Sequence, residues 1–310
     1  MFAIHVENLV KNYGVRRVLD GLNLDLSEGE FYALMGPNGS GKTTLASIIA
    51  GVKTPTSGVV EIYGKKPAEA KSLIGYVPQE NFSSPKLSGR ENLTYFATIL
   101  GYPREQRNQL VTEILKNVGL SEESNKRVAT YSGGMRKRLE VATALFPGIK
   151  VLILDEPTTG LDPAARRSFF STLREIVDNK TTILLITHIG SDAELASRVG
   201  LIDAGKIIAE GTPEELKKKH AAEDVVTVEI AESSDRVLPI LKDFSLNGSV
   251  AQLSNGYRIY VRNGDMVLPE VIRALSQAGH KVMRVEMART TLEDVFFKLT
   301  EKSIQETPTN

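Results

Sequence analysis

The chain has 310 residues, 41% of them hydrophobic, with 38 basic and 38 acidic side chains that cancel to a formal net charge of zero, and no cysteine. That length exceeds one typical domain and the apolar content is ample for a core. The charge balance argues against a strong electrostatic grip on nucleic acid, and the missing thiols exclude disulfides and thiolate metal sites. The opening MFAIHVENLVKNYG carries charges and no apolar core of signal-peptide length, and no stretch approaches the roughly 18 apolar residues that a membrane span requires.

In chain order, FAIHVENL and SGVVEIYG read as strands of an antiparallel edge, and Glu30 to Met35 between them reads as a buried strand. The glycine-rich turn GPNGSGKT follows that strand directly, from Gly36 to Thr43. Gly36, Gly39 and Gly41 can adopt backbone angles closed to other residues, so successive N–H groups can point inward at a nucleotide's phosphates. Asn38 and Ser40 belong to the same turn, and Thr44 to the helix TTLASIIAG that leaves it. Lys42 is expected to reach the β- and γ-phosphates and Thr43 to offer its hydroxyl to Mg²⁺, while the helix turns its positive end toward the same anion.

From about residue 81 to 131 the pattern is helical, with a capping box at Ser88 and Glu91 and a second amphipathic segment from Pro103 to Gly119. Ser132-Gly133-Gly134 then opens a helix, MRKRLEVATALF. A serine and two glycines at a helix start suit either a second anion site or an ordinary cap in which Ser132 satisfies a free N–H. Arg136, Lys137 and Arg138 read as a solvated face of that helix.

Val151 to Leu154 is apolar on both faces, as in a central strand of a parallel sheet, and delivers Asp155 and Glu156 at its C-terminal end. Two adjacent carboxylates suit a division of labour: Asp155 holds the metal, and Glu156 orients and deprotonates the attacking water. Another buried strand, Thr181 to Thr187, the hairpin LIDAGKIIAEG, and a helix opened by Thr212-Pro213-Glu214-Glu215 and ending in Lys217 to Lys219 complete this part. Beyond about Glu223 the order is strand, helix, two strands flanking Asn255-Gly256, helix and strand. This βαββαβ series predicts a small ferredoxin-like domain, followed by the closing helix TLEDVFFKLT and a loose tail at 303–310.

A phosphate-binding loop, the signature-like YSGGM and VLILDEP in this order closely resemble the ATP-binding cassette family over residues 2 to about 215. The resemblance implies an α/β P-loop cassette at 1–220, with an antiparallel β subdomain and a helical insert at about 81–131, beside a separate α+β domain at 221–302. It further implies that Tyr13 stacks on adenine, Gln79 senses metal and water, Asp162 crosses a dimer interface and His188 contacts the γ-phosphate. In the family two cassettes meet head to tail on two MgATP, each signature loop (here Ser132, Gly133 and Gly134) closing on the partner's nucleotide. The helical insert meets an integral membrane permease, so the implied location is cytoplasmic, on the inner face of the cell membrane.

The signature departs from the commonest LSGGQ at Tyr131 and Met135, and a thioether cannot supply the amide's hydrogen bonds. YSGGM followed by basic residues, and a C-terminal extension containing LEDVF, resemble the ATPase subunits of drug-resistance and sodium-extrusion exporters. The expected function is therefore ATP hydrolysis that energises a separate exporter permease. An importer ATPase is one alternative; a soluble cassette acting on ribosomes or DNA is the other, disfavoured by a single phosphate-binding loop and no sustained heptads.

Overall fold

Buried apolar strands set the architecture of the computed structural model, which describes residues 2–176, 180–220, 224–231, 236–253 and 256–305. The chain divides into two compact units, Met1–Thr212 and Pro213–Asn310.

In the first unit, β1 (Phe2–Tyr13), β2 (Arg16–Ser27) and β4 (Ser57–Ile62) form an antiparallel sheet in the order β2-β1-β4. β3 (Phe31–Met35) instead joins a six-stranded sheet with β5 (Ile74–Val77), β6 (Val151–Asp155), β7 (Thr182–Thr187), β8 (Arg198–Asp203) and β9 (Lys206–Gly211), in the order β5-β6-β7-β3-β8-β9. All its pairings are parallel except the β8–β9 hairpin at the edge. β6 and β7 are buried at every residue, as continuous Val/Ile/Leu runs in a parallel sheet should be.

Helix α1 (Lys42–Ile49) buries Leu45, Ala46, Ile48 and Ile49 in one core with Ile4, Leu9, Leu22 and Leu26 of the antiparallel sheet and Leu34, Ile153, Leu184 and Ile186 of the parallel one. At roughly 1.5–3 kcal/mol for each large apolar side chain buried, this shared core is what ties the two sheets together.

The insert contains α2 (Gly89–Ile99) and α3 (Arg104–Asn117). The capping box at the start of α2 forms as the sequence predicts: Glu91 N–H donates to Ser88 Oγ at 3.2 Å, and Ser88 N–H donates to Glu91 Oε2 at 2.7 Å. These bonds hold the Glu91 carboxyl below its usual pKa. Helix α4 (Gly133–Ala142) packs Leu139 and Ala142 into the insert's core with Leu93, Ala97, Val111 and Leu115. α5 (Pro163–Ile176) and the short α6 (Gly190–Ala193) complete the unit.

The second unit begins with α7 (Pro213–His220), which the sequence places in the first domain by putting the boundary near 220. It continues with β10 (Asp224–Ile230), α8 (Val237–Phe244), β11 (Val250–Leu253), β12 (Gly256–Val261), α9 (Gly264–Gln277), β13 (Val282–Ala288) and α10 (Leu292–Gln305). The antiparallel sheet order β11-β12-β10-β13 is that of a βαββαβ ferredoxin-like domain, with Val226, Val228, Tyr257, Ile259, Leu241, Val271 and Leu275 in its core.

Three details differ from expectation or lie outside it. α9 starts at Gly264 and carries Pro269 inside it, beyond the first turn, so the ring removes one i→i−4 hydrogen bond of the helix. α10 runs to Gln305, so residues 303–305 continue a helix rather than a tail. Asn255 of the predicted hairpin turn and residues 306–310 of the tail lie outside the described residues, while Leu253 and Gly256 on either side of the turn are paired as a hairpin requires.

Gly75 in β5 places its backbone against the end of α4, and a Cβ there would lie 2.2 Å from the Ala144 carbonyl oxygen. Gly75→Ala is therefore expected to lower the unfolding free energy by about 1–3 kcal/mol, read as a reduced urea midpoint at unchanged slope.

Candidate active site

The site lies where the parallel strands end. Met35 pairs with Thr187, and Asp155 with Ile186, so the segments after β3, β6 and β7 leave the sheet along one edge. After β3, Gly39 and Gly41 take φ values of 86° and 108°, which side chains with a Cβ rarely adopt. Gly36 has a different constraint: a Cβ would lie 2.2 Å from the Ile202 carbonyl oxygen of β8. Lys42 is 4% exposed, and its Nζ donates to the carbonyl oxygens of Gly36 and Pro37, both at 2.8 Å. Burial pushes its ammonium pKa down, against the opposing pull of Glu156 and Asp155.

Asp155 is fully buried at the end of β6. Thr43 Oγ1 donates to its Oδ1 at 3.3 Å, and its Oδ2 has no hydrogen-bond partner. Desolvation, partly offset by the Thr43 hydrogen bond, raises its pKa to about 6. Glu156 sits in the left-handed region at φ 50°, pinned by its N–H on the Ile186 carbonyl at 2.8 Å. This strained turn re-aims the side chain, which is 5% exposed, away from the strand direction. Gln79 Nε2 and Thr159 Oγ1 donate to Glu156 Oε2 at 3.0 and 3.3 Å, and His188 Nδ1 lies 3.2 Å from Oε1. Gln79 and His188, two sequence-predicted residues, thus each meet one carboxylate oxygen of a third, Glu156.

Lys42, Thr43, Gln79 and Glu156 line one open cleft of about 380 Å³, together with Asn38, Gly39, Gly41, Thr44, Arg16 and Val18. Tyr13, the last residue of β1, is 45% exposed, with Lys11 Nζ and Lys53 Nζ 5.1 and 5.6 Å from its ring centroid. Ser40 is buried beneath the loop, with Oγ unpartnered.

Ser132, Gly133, Gly134 and Asp162 are not among the residues lining this cleft. Ser132 Oγ caps α4 by accepting from Met135 N–H at 3.3 Å. Asp162 Oδ1 caps α5, accepting from the N–H groups of Ala164 and Ala165 at 2.9 and 3.0 Å, which hold its carboxyl below the usual range. The two helix starts adjoin: Cβ atoms at Gly133 and Gly134 would lie 3.2 Å from Leu161 and 3.5 Å from Ala165.

A family model described as "ABC transporter" matches residues 19–159, and a second, described as "ATP-binding protein DrrA1-3-like, C-terminal domain", matches residues 211–300. The chain is 36% identical over 96% of both chains to the daunorubicin resistance ATP-binding protein DrrA3 of Streptomyces coeruleorubidus. It is 35% identical to the Nod factor export ATP-binding protein I of Cupriavidus metallidurans, over 98% of this chain and 99% of that one. The chain belongs to the ABC transporter family.

It is an ATP-hydrolysing subunit of the exporter type. Among solved structures, the dimeric post-hydrolysis cassette MJ0796 bound to ADP and Pi matches with 28% identity and a TM-score of 0.61, over 67% of this chain and 98% of that one. Part of the ABC transporter complex cbiONQ, cbiO1 from Clostridium perfringens, matches with 30% identity and a TM-score of 0.63, over 69% of this chain and 90% of that one.

Some contacts of the site carry no sequence motif. Arg16 and Val18 line the cleft without any motif to mark them. Lys137, expected on a solvated face, is only 8% exposed and donates to the Gln79 carbonyl at 3.5 Å. Thr158 and Asp192, both about 1% exposed, hydrogen-bond beneath the turn that carries Glu156. Only their spacing across two loops could have revealed that pair, and a sequence does not display it.

The hard oxygen donors Thr43 and Asp155, with the unpartnered buried Oδ2, fit a small divalent cation such as Mg²⁺. Asp155→Asn is expected to stabilise the nucleotide-free chain. Because burial raises the folded pKa above its unfolded value, the native state is favoured by the proton at low pH and loses that advantage as pH rises through about 6. The gain from the substitution should therefore be about 1–3 kcal/mol near pH 7.5 and vanish below about pH 4, measured by urea unfolding across pH.

Proposed function

We propose that two copies of this chain close head to tail on two MgATP, hydrolyse them, and thereby drive a separate integral membrane exporter. Thr43, Gln79 and Asp155 hold Mg²⁺, which when bound neutralises charge on the β- and γ-phosphates. The loop N–H groups from Asn38 to Thr44 and the Lys42 ammonium bind those phosphates, and Tyr13 carries the adenine ring. Glu156 takes the proton from the attacking water as the γ-phosphorus–oxygen bond to ADP breaks, releasing ADP and phosphate. Gln79 and His188 keep the Glu156 carboxylate aimed at that water. Ser132, Gly133, Gly134 and Asp162 serve the nucleotide held by the other copy.

The observation that carries this reading is the convergence of Gln79 and His188 on the two oxygens of Glu156 beside the Lys42 loop. A carboxylate held from both sides at a strand end is pre-oriented for a general base, a contribution worth about 10²–10⁴ in rate. Export rather than import is favoured by the relatives named for resistance and for Nod factor export. A permease contact is supported by α2, where Tyr95 and Ile99 on one helical face, with Leu100 after it, are 57%, 61% and 54% exposed. Among the described residues no helix is long and apolar enough to cross a membrane. On this reading the pore belongs to another chain and this subunit to the membrane's cytoplasmic face.

Glu156→Gln should retain ATP binding and lower steady-state phosphate release at least about 100-fold. Held in MgATP in its native membrane fraction, it should retain an integral membrane protein in fixed stoichiometry. Wild-type turnover would remove Glu156 from the role of base, and ribosomal or DNA-bound companions alone would replace the transport reading.

Ser132→Arg should abolish turnover by itself. Mixed with Glu156→Gln, it should recover activity at the one composite site left whole, because both defects then fall in the same site. Mixing without recovery in a phosphate-release assay would overturn the shared site.

A further inference from the structure

Between Val77, the end of β5, and Gly89, the start of α2, the backbone belongs to no helix or strand, although Gln79 lies inside it. Its position is set by side chains. Glu140 of α4, 1% exposed, accepts from Ser83 N–H at 3.1 Å, from Ser83 Oγ at 2.5 Å, and from Phe82 N–H at 3.4 Å. One helical turn earlier on the same face, Lys137 Nζ donates to the Gln79 carbonyl. From the other side, Asn92 of α2, 2% exposed, accepts from Ser84 N–H at 2.8 Å and donates to the carbonyls of Ser84 and Ser88 at 3.1 and 2.9 Å.

A buried carboxylate is costly unless charged or polar partners meet it, and here three donors do so on one short segment. An apolar residue on α4 would fill the same space at less electrostatic cost. What the carboxylate adds is direction: it fixes the segment to α4, whose first residues follow Ser132.

We propose that Glu140 is a positioning residue for Gln79. With Asn92 it clamps residues 82–84 between α4 and α2, so that a displacement of either helix moves Gln79 and, through the Gln79–Glu156 hydrogen bond, the carboxylate assigned as base. The proposal rests on the reading of Gln79 and Glu156 given above.

The experiment is a double-mutant cycle on the full-length chain with MgATP, reading kcat and KM for ATP in wild type, Glu140→Gln, Gln79→Ala and the double variant. Glu140→Gln keeps the shape and sets an amide NH₂ against N–H donors. It should lower kcat about tenfold, as small misplacements in a site do, and leave KM within about twofold. In the Gln79→Ala background it should cause no further loss, because its effect passes through Gln79. Losses that multiply in the double variant, or a change in KM alone, would make Glu140 merely structural and leave the catalytic reading standing. Wild-type kcat in Gln79→Ala would overturn the role of Gln79 and the proposal with it. If Glu140→Gln does not fold, Ser83→Ala, which removes only one donor to the clamp, takes its place in the cycle with a smaller expected loss in kcat and the same decision.

Discussion

The parallel register of β3, β7 and β6 is the constraint on which the rest of the molecule depends. Met35 opposite Thr187, and Asp155 opposite Ile186, bring three connecting segments out of the sheet at one edge. A slip of one residue would turn every side chain of a strand to the other face. In strands buried on both faces the slip exchanges one set of packed neighbours for another, so register is held by fit rather than by polarity, with α1 as the template on one side. The placement of Lys42, Glu156 and His188 follows from that register, because none of the three segments has freedom to choose its starting point.

At that edge, adjacent carboxylates live in unlike surroundings. Asp155 still belongs to the strand and is fully buried with one oxygen unpartnered, which raises its pKa to about 6. Glu156 belongs to the turn, takes φ 50°, and has donors or a ring nitrogen at both oxygens. The backbone strain and the buried charge are both stability costs, and both are localised where a cation and a phosphate chain would relieve them. Such a site is less stable alone than with its ligands, and binding energy for MgATP is available in proportion to the cost removed.

Much of this was legible because its causes are local. A glycine turn between a buried strand and a helix, a serine three residues before a glutamate, and apolar runs ahead of two acids each specify their conformation within a few residues. The contacts that escaped are those in which a helix face meets an irregular segment. Nothing in MRKRLEVATALF tells that Lys137 and Glu140 face residues 79–83 rather than water, since charged residues on an amphipathic helix ordinarily mark the solvated side. The compact units divide at Thr212 rather than near residue 220 for a related reason. The cap at Thr212 and Pro213 announces where α7 starts, whereas its grouping with the second unit depends on long-range packing.

The departure from LSGGQ has a packing explanation. Tyr131 and Met135 are both partly buried against the insert's core, and the Tyr131 hydroxyl donates to the Glu123 carbonyl at 2.8 Å. A glutamine at 135 would leave amide hydrogen bonds to satisfy against that apolar surface, and the thioether leaves none. What remains for an anion is the Ser132 hydroxyl and the first N–H groups of α4, with the start of α5 close beside them. These groups are absent from the lining of the Lys42 cleft. On the proposed reading, the loop phosphate ligands and the helix-start pair are the two complementary halves of one site, and two copies related by a two-fold axis would make two whole ones. In that arrangement the residue at 135 is free to serve packing, because recognition of the γ-phosphate is left to backbone N–H groups and one hydroxyl that Met135 itself helps to hold in place.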